Sequence, residues 1–385
     1  MHPARSPAPT AMADTMLAVA LAVALAAVDV SAAPRSIHSA APWERVDEEV
    51  RQLYEALKSK HPPRPPRGND DDDLLRLEVS RDNLRYIDAR NAEADLGLHG
   101  FRLGLTPFAD LTLEEFRGRV LGFQQSRHND TTADDAADGR STRFDLHSAG
   151  EPQAVPAAVD WRKSGAVTSV RNQGACGGCW AFSAVAALEG INKIVTGKLV
   201  ELSEKELIDC DHNSHGCNGG RMDYAFQWVI SNGGIDTEAD YPFTGRDGTC
   251  DANKVDKKKV VSINSYKRVL PANNEKALQA AVPNQPVSVA IEAGGRSFRL
   301  YKSGVFDGIC GAKLDDGVTA VGYGNENDKD YWIVKNSWGA SWGEAGYIRM
   351  RRNMAAPTGK CGIAMDTGLL PSRIAPGRIG PHSLC

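Results

Sequence analysis

Gln173-Gly174-Ala175-Cys176-Gly177-Gly178-Cys179-Trp180-Ala181-Phe182-Ser183 is the stretch on which the fold turns. A glycine-rich turn ends at a cysteine. From there apolar residues recur at helical spacing (Ala181, Val185, Leu188, Ile191, Val195) as far as Gly197. The pattern predicts a helix with Cys179 at its N-terminus. Backbone N–H groups and the helix dipole favour negative charge there, so the thiol is biased towards thiolate, the nucleophilic form.

The same residues resemble the nucleophile signature of the papain-like cysteine peptidases, Cys-Gly-(Ser/Ala)-Cys-(Trp/Tyr), with Gly178 in the Ser/Ala place. The likeness is to plant-type, cathepsin L-like proenzymes. It implies an upstream glutamine as oxyanion donor, and an imidazole base and an orienting asparagine roughly 130–150 residues downstream. Gln173 fits the first role. Asn336, in Tyr331-Trp332-Ile333-Val334-Lys335-Asn336-Ser337-Trp338-Gly339, fits the last. Where the family pattern reads Leu-Asp-His-Gly-Val, this chain has Leu314-Asp315-Asp316-Gly317-Val318, running on into Val321-Gly322-Tyr323-Gly324. Asp316 stands in the histidine's place.

A carboxylate does not do an imidazolium's work. Beside Cys179 an ionised Asp316 repels the thiolate and raises the thiol pKa. Its reference pKa of about 3.9 leaves little protonated acid near neutrality to serve a leaving amine. Loss of general acid–base help costs roughly 10²–10⁴ in rate. After Val155 the remaining histidines are His212 and His215, between Cys210 and Cys217, and His382 near the end. None lies on the strand carrying position 316.

A chain of 385 residues has room for more than one core, and a net charge of −4 gives no reason to expect nucleic acid or an anionic membrane as partner. Arg5 precedes an apolar run from Met16 to Val28, followed by the small-x-small pattern Val30-Ser31-Ala32. The run is shorter than the roughly 20 residues of a membrane span. Residues 1–32 read as a secretory signal peptide, with an uncleaved anchor as the alternative. The expected destination is the vacuole or lysosome, or the cell exterior, with no membrane attachment after cleavage.

Residues 33–154 read as an inhibitory propeptide, folded over 44–117 and continued by a linker over 118–154. Glu44 to Tyr54 is an amphipathic pattern broken by His61-Pro62-Pro63-Arg64-Pro65-Pro66-Arg67-Gly68. Asp70 to Asp73 fit the start of a second helix, where the dipole favours carboxylates, better than a metal site. That helix carries Arg76 and Asn83-x-x-x-Ile87-x-x-x-Asn91, and Gly104-Leu105-Thr106-Pro107-Phe108-Ala109-Asp110 follows. Both stretches resemble papain-family propeptide motifs, with Asp72 for a glutamate, Ser80 for an aromatic and Thr106 for an asparagine. An aromatic-to-serine change in a core costs on the order of 3 kcal/mol, so a loosely folded prosegment is expected. By resemblance it lies backwards across the cleft and inhibits the enzyme. Asn129-Asp130-Thr131 is a glycosylation sequon in the linker.

Residues 155–371 read as a peptidase domain, followed by a tail over 372–385. Its first half reads helical: Ser203-Glu204-Lys205-Glu206 is a capping box, and Met222 to Ile230 is a helix stopped at Asn232-Gly233-Gly234. Its second half switches to period two at Val287–Ile291, Val318–Tyr323, Tyr331–Val334 and Tyr347–Met350. The class is α+β. In family terms this is the papain-like two-domain fold, a helical left domain and an antiparallel, barrel-like right domain, with a mainly helical prodomain.

By resemblance Cys176 pairs with Cys217, Cys210 with Cys250 and Cys310 with Cys361, leaving Cys179 and Cys385. A thioredoxin-like pair or half a zinc site is the rival for Cys176-x-x-Cys179, but it lacks a βαβ context and a second ligand pair. No metal and no cofactor is expected. For substrate binding the resemblance assigns Gly219 and Gly220 to backbone pairing with extended peptide. It assigns Met222, Ala290, Leu314 and Asp366 to the pocket for the second residue before the scissile bond. Asp366 there favours a basic or polar group, or is simply a solvated carboxylate. Arg221 replaces an apolar residue at the pocket's edge, and Trp338 shields Asn336.

The expected partners are peptides or proteins in the cleft, the propeptide itself and cystatin-like inhibitors, with the chain a monomer. Three functions fit. The first is a papain-family endopeptidase precursor impaired at Asp316, persisting as a peptide-binding or regulatory pseudoenzyme. The second is an active endopeptidase in which Asp316 is an allele or a sequence error, since His and Asp codons differ by one base. The third is a storage or inhibitory protein in which Cys179 is inert.

Overall fold

The structure is a computed structural model, and it describes residues 45–61, 70–125, 141–145, 155–255 and 259–369, all within the unit Trp43–Cys385. The signal peptide, Asn129, His382, Cys385 and the C-terminal tail lie outside the described residues.

In the prosegment, helix α1 (Asp47–Lys60) and helix α2 (Asp70–Asp95) bury Val50, Tyr54, Leu77 and Leu84 against one another. The proline-rich interval separates them as its residues require. Strand β1 (Phe101–Leu103) follows, then helix α3 (Leu113–Arg119). Helix α3 opens with a full capping box: Thr112 accepts from the Glu115 N–H at 3.1 Å and Glu115 accepts from the Thr112 N–H at 3.0 Å. The expected looseness is not what the fold has. Ser80 is buried with its hydroxyl unpartnered, yet α2 runs unbroken through it, and Phe108 and Phe116 pack edge-on against Trp338 at 5.2 and 5.4 Å. Those rings join the sheet-half core.

Strand β2 (Ser141–Asp145) and strand β3 (Val159–Asp160) precede the helical half. Helix α4 (Cys179–Thr196) ends where Gly197 takes φ 75°, a left-handed C-cap that suits glycine. Every residue from Cys179 to Asn192 is buried, so α4 is a core helix. Helix α5 (Glu204–Cys210) and helix α6 (Met222–Asn232) pack around it. The capping box predicted for α5 is half formed. Ser203 accepts from the Glu206 N–H at 2.9 Å, but the Glu206 carboxylate turns away to the Asp236 N–H at 2.7 Å.

The sheet half comprises β4 (Tyr266–Leu270), β5 (Val287–Ile291), β6 (Tyr301–Phe306), β7 (Asp316–Glu326), β8 (Lys329–Lys335), β9 (Tyr347–Arg351) and β10 (Thr367–Leu369). The order is β1-β6-β9-β8-β7-β5-β10-β4-β2, with β3 also on β7. Pairing is antiparallel except at β6–β9 and β2–β4. Both outer strands of this order precede Val155, so residues assigned to the prosegment and linker supply the two edges of the sheet. The α+β class and the papain-like arrangement are as expected.

Strand β5 is buried throughout, and β7 is buried from Asp316 to Gly324. Helix α4 is bonded to both. Ser183 Oγ donates to the Val318 carbonyl at 2.6 Å, and Ser288 Oγ donates to the Ser183 carbonyl at 2.9 Å. These bonds set the start of β7 beside the start of α4.

Disulfides join Cys176–Cys217, Cys210–Cys250 and Cys310–Cys361. Cys179 is the free cysteine among the described residues. No helix among them is long and apolar enough to cross a membrane, and no His/Cys/Asp/Glu group among them is arranged to hold a metal.

Candidate active site

Cys179 opens α4, Asp316 opens β7, and both are wholly buried. The approach of the two elements depends on Gly317, where a Cβ would stand 3.2 Å from the Cys179 carbonyl oxygen and from the Met222 sulfur. The thiol faces the Asp316 carboxyl, although neither carboxyl oxygen completes a hydrogen bond of full geometry. Burial, and then the charge of Asp316, push the Cys179 thiol well above its ordinary value. Burial, and then the charge of Asp315, push Asp316 well above the carboxylate range. Burial thus shifts both the thiol and the carboxyl it faces towards their neutral forms. That is the reverse of a thiolate facing an imidazolium.

Gln173 and Asn336 are linked to one another through Ser337. Gln173 is buried, its amide donating to the Cys176 carbonyl at 2.8 Å and the Val120 carbonyl at 2.7 Å, while Ser337 Oγ donates to its oxygen at 2.5 Å. Asn336 is buried beyond the end of β8. Its Oδ1 accepts from the Ser337 N–H at 2.7 Å and its Nδ2 has no partner. Trp338 is fully buried among Phe108, Phe116, Phe298 and Trp342. His212 and His215 sit exposed on their loop, unlike the buried pair.

Residues 120–124, assigned to the linker on sequence, occupy the cleft. The Gly220 N–H donates to the Gly122 carbonyl at 2.9 Å, the Gln124 N–H to the Gly220 carbonyl at 3.0 Å, and the Phe123 N–H to the Asp315 carbonyl at 3.1 Å. Phe123 pairs with Gly220 as a parallel bridge, the β-augmentation geometry that an extended peptide uses. Gly219 holds φ 110°, and a Cβ there would come within 2.5 Å of the Gly122 carbonyl oxygen. Phe123 itself is buried in the apolar cluster that contains Met222, Ala290 and Leu314. The sequence carried a weak sign of this, a glycine between Leu121 and Phe123.

Asp366 departs from both expectations, since it is neither an open acidic pocket floor nor a solvated carboxylate. Arg268 Nη1 donates to it at 3.0 Å, and Arg221 Nη2 lies 4.0 Å from its other oxygen. Arg221 is folded onto Asp223 at 2.7 Å, and Arg268 bonds the same carboxylate. Neither Arg268 nor Asp223 stood out in the sequence, because no local pattern marks them.

The sequence comparisons agree with this geometry. Residues 155–369 match the family model described as papain family cysteine protease. The chain belongs to the papain family of cysteine proteases. Residues 68–116 match the cathepsin propeptide inhibitor domain, so this member carries a papain-family prosegment. Among curated relatives, the Probable cysteine protease RD21B of Arabidopsis thaliana is 53% identical over 86% of this chain and 68% of its own length. The Germination-specific cysteine protease 1 of the same plant is 46% identical over 98% of this chain and 99% of its own. Against Cysteine proteinase RD21A the match covers 66% of the relative, so the chain spans about two thirds of some relatives and the whole of another. Among solved structures, a recombinant stem bromelain precursor gives a TM-score of 0.72 at 39% identity, covering 84% of this chain and 98% of that one. Procathepsin L 3 of the Tenebrio molitor larval midgut gives 0.73 at 32%, covering 83% and 98%.

Proposed function

We propose that this papain-family chain is the precursor of a cysteine endopeptidase in which Asp316 replaces the catalytic imidazole, so that the mature domain hydrolyses peptide bonds poorly or not at all. The observation that carries the reading is the buried Cys179–Asp316 pair, a thiol facing a carboxyl with burial shifting both towards the neutral form. Cys179 is the nucleophile by position, and Gln173 with the Cys179 backbone N–H the oxyanion donors. Asn336 is the orienter, and Trp338 covers it. What the site lacks is a cation to hold the thiolate and a proton for the leaving amine. Opening the cleft does not supply one. Hydration would let Asp316 ionise, and its charge would then oppose the thiolate.

Peptide binding is the capacity that remains. The cleft takes extended backbone on Gly220, as residues 122–124 occupy it now, while the backbone groups of Gly219 are taken by Gly216 and His215. The domain bounds follow from this reading: signal peptide 1–32, prosegment 33–154 with its cleft-crossing part at 120–124, peptidase domain 155–371 and tail 372–385. Three disulfides favour an oxidising compartment, and with the apolar N-terminal run they support the secretory route to a vacuole or the cell exterior.

The retention of Gln173, Asn336 and an engaged prosegment favours a second reading, an active endopeptidase in which Asp316 is an allele. Resequencing the transcript tests it, since a histidine codon at 316 would decide for it. The functional test frees the mature domain with an added protease. It then compares hydrolysis of a fluorogenic peptide with that of Asp316→His from pH 4 to 8. Turnover by the variant alone is expected, a difference of roughly 10²–10⁴ in rate or more. Comparable turnover by the unaltered protein would overturn the assignment of Asp316.

A further inference from the structure

Arg296 and Arg299 are the two ends of a short helix, Arg296–Arg299, that lies between β5 and β6 in the peptidase domain. Among the described residues their guanidiniums find all their hydrogen-bond and ring partners in the prosegment. Arg296 Nη2 donates to Asp82 at 2.5 Å and its Nε to the Asn83 Oδ1 at 3.0 Å, with the Tyr86 ring centre 4.4 Å away. Arg299 Nη2 donates to the same Asn83 oxygen at 3.1 Å and its Nη1 to the Leu111 carbonyl at 2.6 Å. Arg299 is 3% exposed and its Nε has no partner. Burial, and then the charge of Arg296, push its guanidinium down to about 10, and the acidic groups that chiefly offset this, Asp82, Asp110 and Glu115, belong to the prosegment. Removing residues 33–154 therefore leaves two neighbouring guanidiniums without partners. It also takes Phe108 and Phe116 off Trp338, which opens an apolar surface close by, since the Phe116 ring lies 5.9 Å from the Arg299 guanidinium as well.

The Asn83 oxygen marks a point within hydrogen-bond reach of both cations. A carboxylate there would bind better than an amide, because charge-assisted bonds are roughly twice as strong as neutral ones. The prosegment is confined to an amide: Asn83 Nδ2 also donates to the Ala109 carbonyl at 2.7 Å, which a carboxylate would repel. A partner without that bond has no such restriction.

We infer that loss of the prosegment uncovers a carboxylate-binding exosite on the peptidase domain, formed by Arg296 and Arg299, for an acidic helical segment of another protein. Helix α2 supplies the pattern it reads, with acceptors at Asp82 and Asn83 and an aromatic ring at Tyr86, whose hydroxyl is 2.6 Å from that of Ser297. The exosite shares no residue with the Cys179–Asp316 pair. It rests on the proposed removal of residues 33–154, but not on turnover.

The test measures equilibrium binding. The full chain is folded, processed with added protease and purified, and its mass confirms that residues before Val155 are gone. Two labelled helical peptides are titrated onto it, one carrying Asp-Asp-x-x-Tyr and the other Asn-Asn-x-x-Tyr. The processed domain should bind the acidic peptide more tightly by about tenfold or more, the scale of one charge-assisted hydrogen bond. The preference should shrink as salt rises from about 0.05 to 0.5 M, a check that needs no substitution. Unprocessed chain, with the two arginines covered, should bind neither peptide. Arg296→Met and Arg299→Met should each cut the preference, and Arg299→Lys should keep part of it. Four results overturn the inference: equal affinity for the two peptides, a preference that survives both Arg→Met changes, equal binding by the unprocessed chain, or no binding at all. Failure of the Asp316 assignment would instead appear as turnover by the unaltered protein, and would leave these affinities intact.

Discussion

The prosegment's hold on the cleft can be broken by one methyl group. A Cβ on Gly122 would stand 1.8 Å from the Gly177 carbonyl oxygen. Cβ has no rotamer with which to escape, and Gly177 is itself tied by its N–H to the Cys217 carbonyl at 2.8 Å. Gly122→Ala must lift the local backbone. It should break the bonds from Gln173 to Val120, from Phe123 to Asp315, from Gly220 to Gly122 and from Gln124 to Gly220. At about 1 kcal/mol net for each bond, the loss is on the order of 4 kcal/mol. That corresponds to a factor of about 10³ in the population of the open form. The assay uses the full chain with Cys385 replaced by serine, so that Cys179 is the one thiol outside the three disulfides. It reads hydrogen exchange over residues 119–125 and the alkylation rate of Cys179, which has no solvent exposure in the closed form. Both rates should rise by about 10³. Gly118→Ala is the control, because its Cβ meets nothing within 4 Å and it lies inside α3, where alanine should stabilise by about 0.5–1 kcal/mol. Protection of Gly122→Ala equal to that of the parent would refute the cleft-crossing register.

Two further outcomes follow from buried polar groups. Burial pushes Glu206 up to about 7 from 4.5. The folded state therefore keeps a proton the unfolded chain releases between about pH 4.5 and 7. Stability from this group falls as pH rises through that window, and the full penalty, on the order of 3 kcal/mol, applies above it. Denaturant midpoints at pH 5 and 8 should show a smaller loss for Glu206→Gln than for the parent, and equal slopes would contradict the assignment. Ser80→Ala removes a buried hydroxyl without a partner and should stabilise the prosegment by about 1 kcal/mol. Slower hydrogen exchange across α2 is the readout, and faster exchange would mean that the hydroxyl is satisfied after all.

The sequence by itself determined the local elements and the chemistry they present. The apolar spacing after Cys179, closed by Gly197, fixed a helix with a thiol at its start, because periodicity and capping are properties of neighbouring residues. The period-two runs fixed the strands, the proline-rich interval separated α1 from α2, and the substitution at 316 was legible from its flanking residues. Tertiary structure decided the rest. Whether Asp316 is charged depends on how deeply β7 seats it against α4, which no local pattern encodes. The half-formed cap at Ser203 followed from a competing partner, Asp236, on another segment. Residues 120–124 came to pair with Gly220 because it offered backbone partners and Gly122 allowed close approach. Asp366 lost the role its position suggested because β4 pairs with β10, bringing Arg268 within hydrogen-bond reach of a carboxylate 98 positions along the chain. Charge depends on distance in space, and that distance is set only when the strands pair.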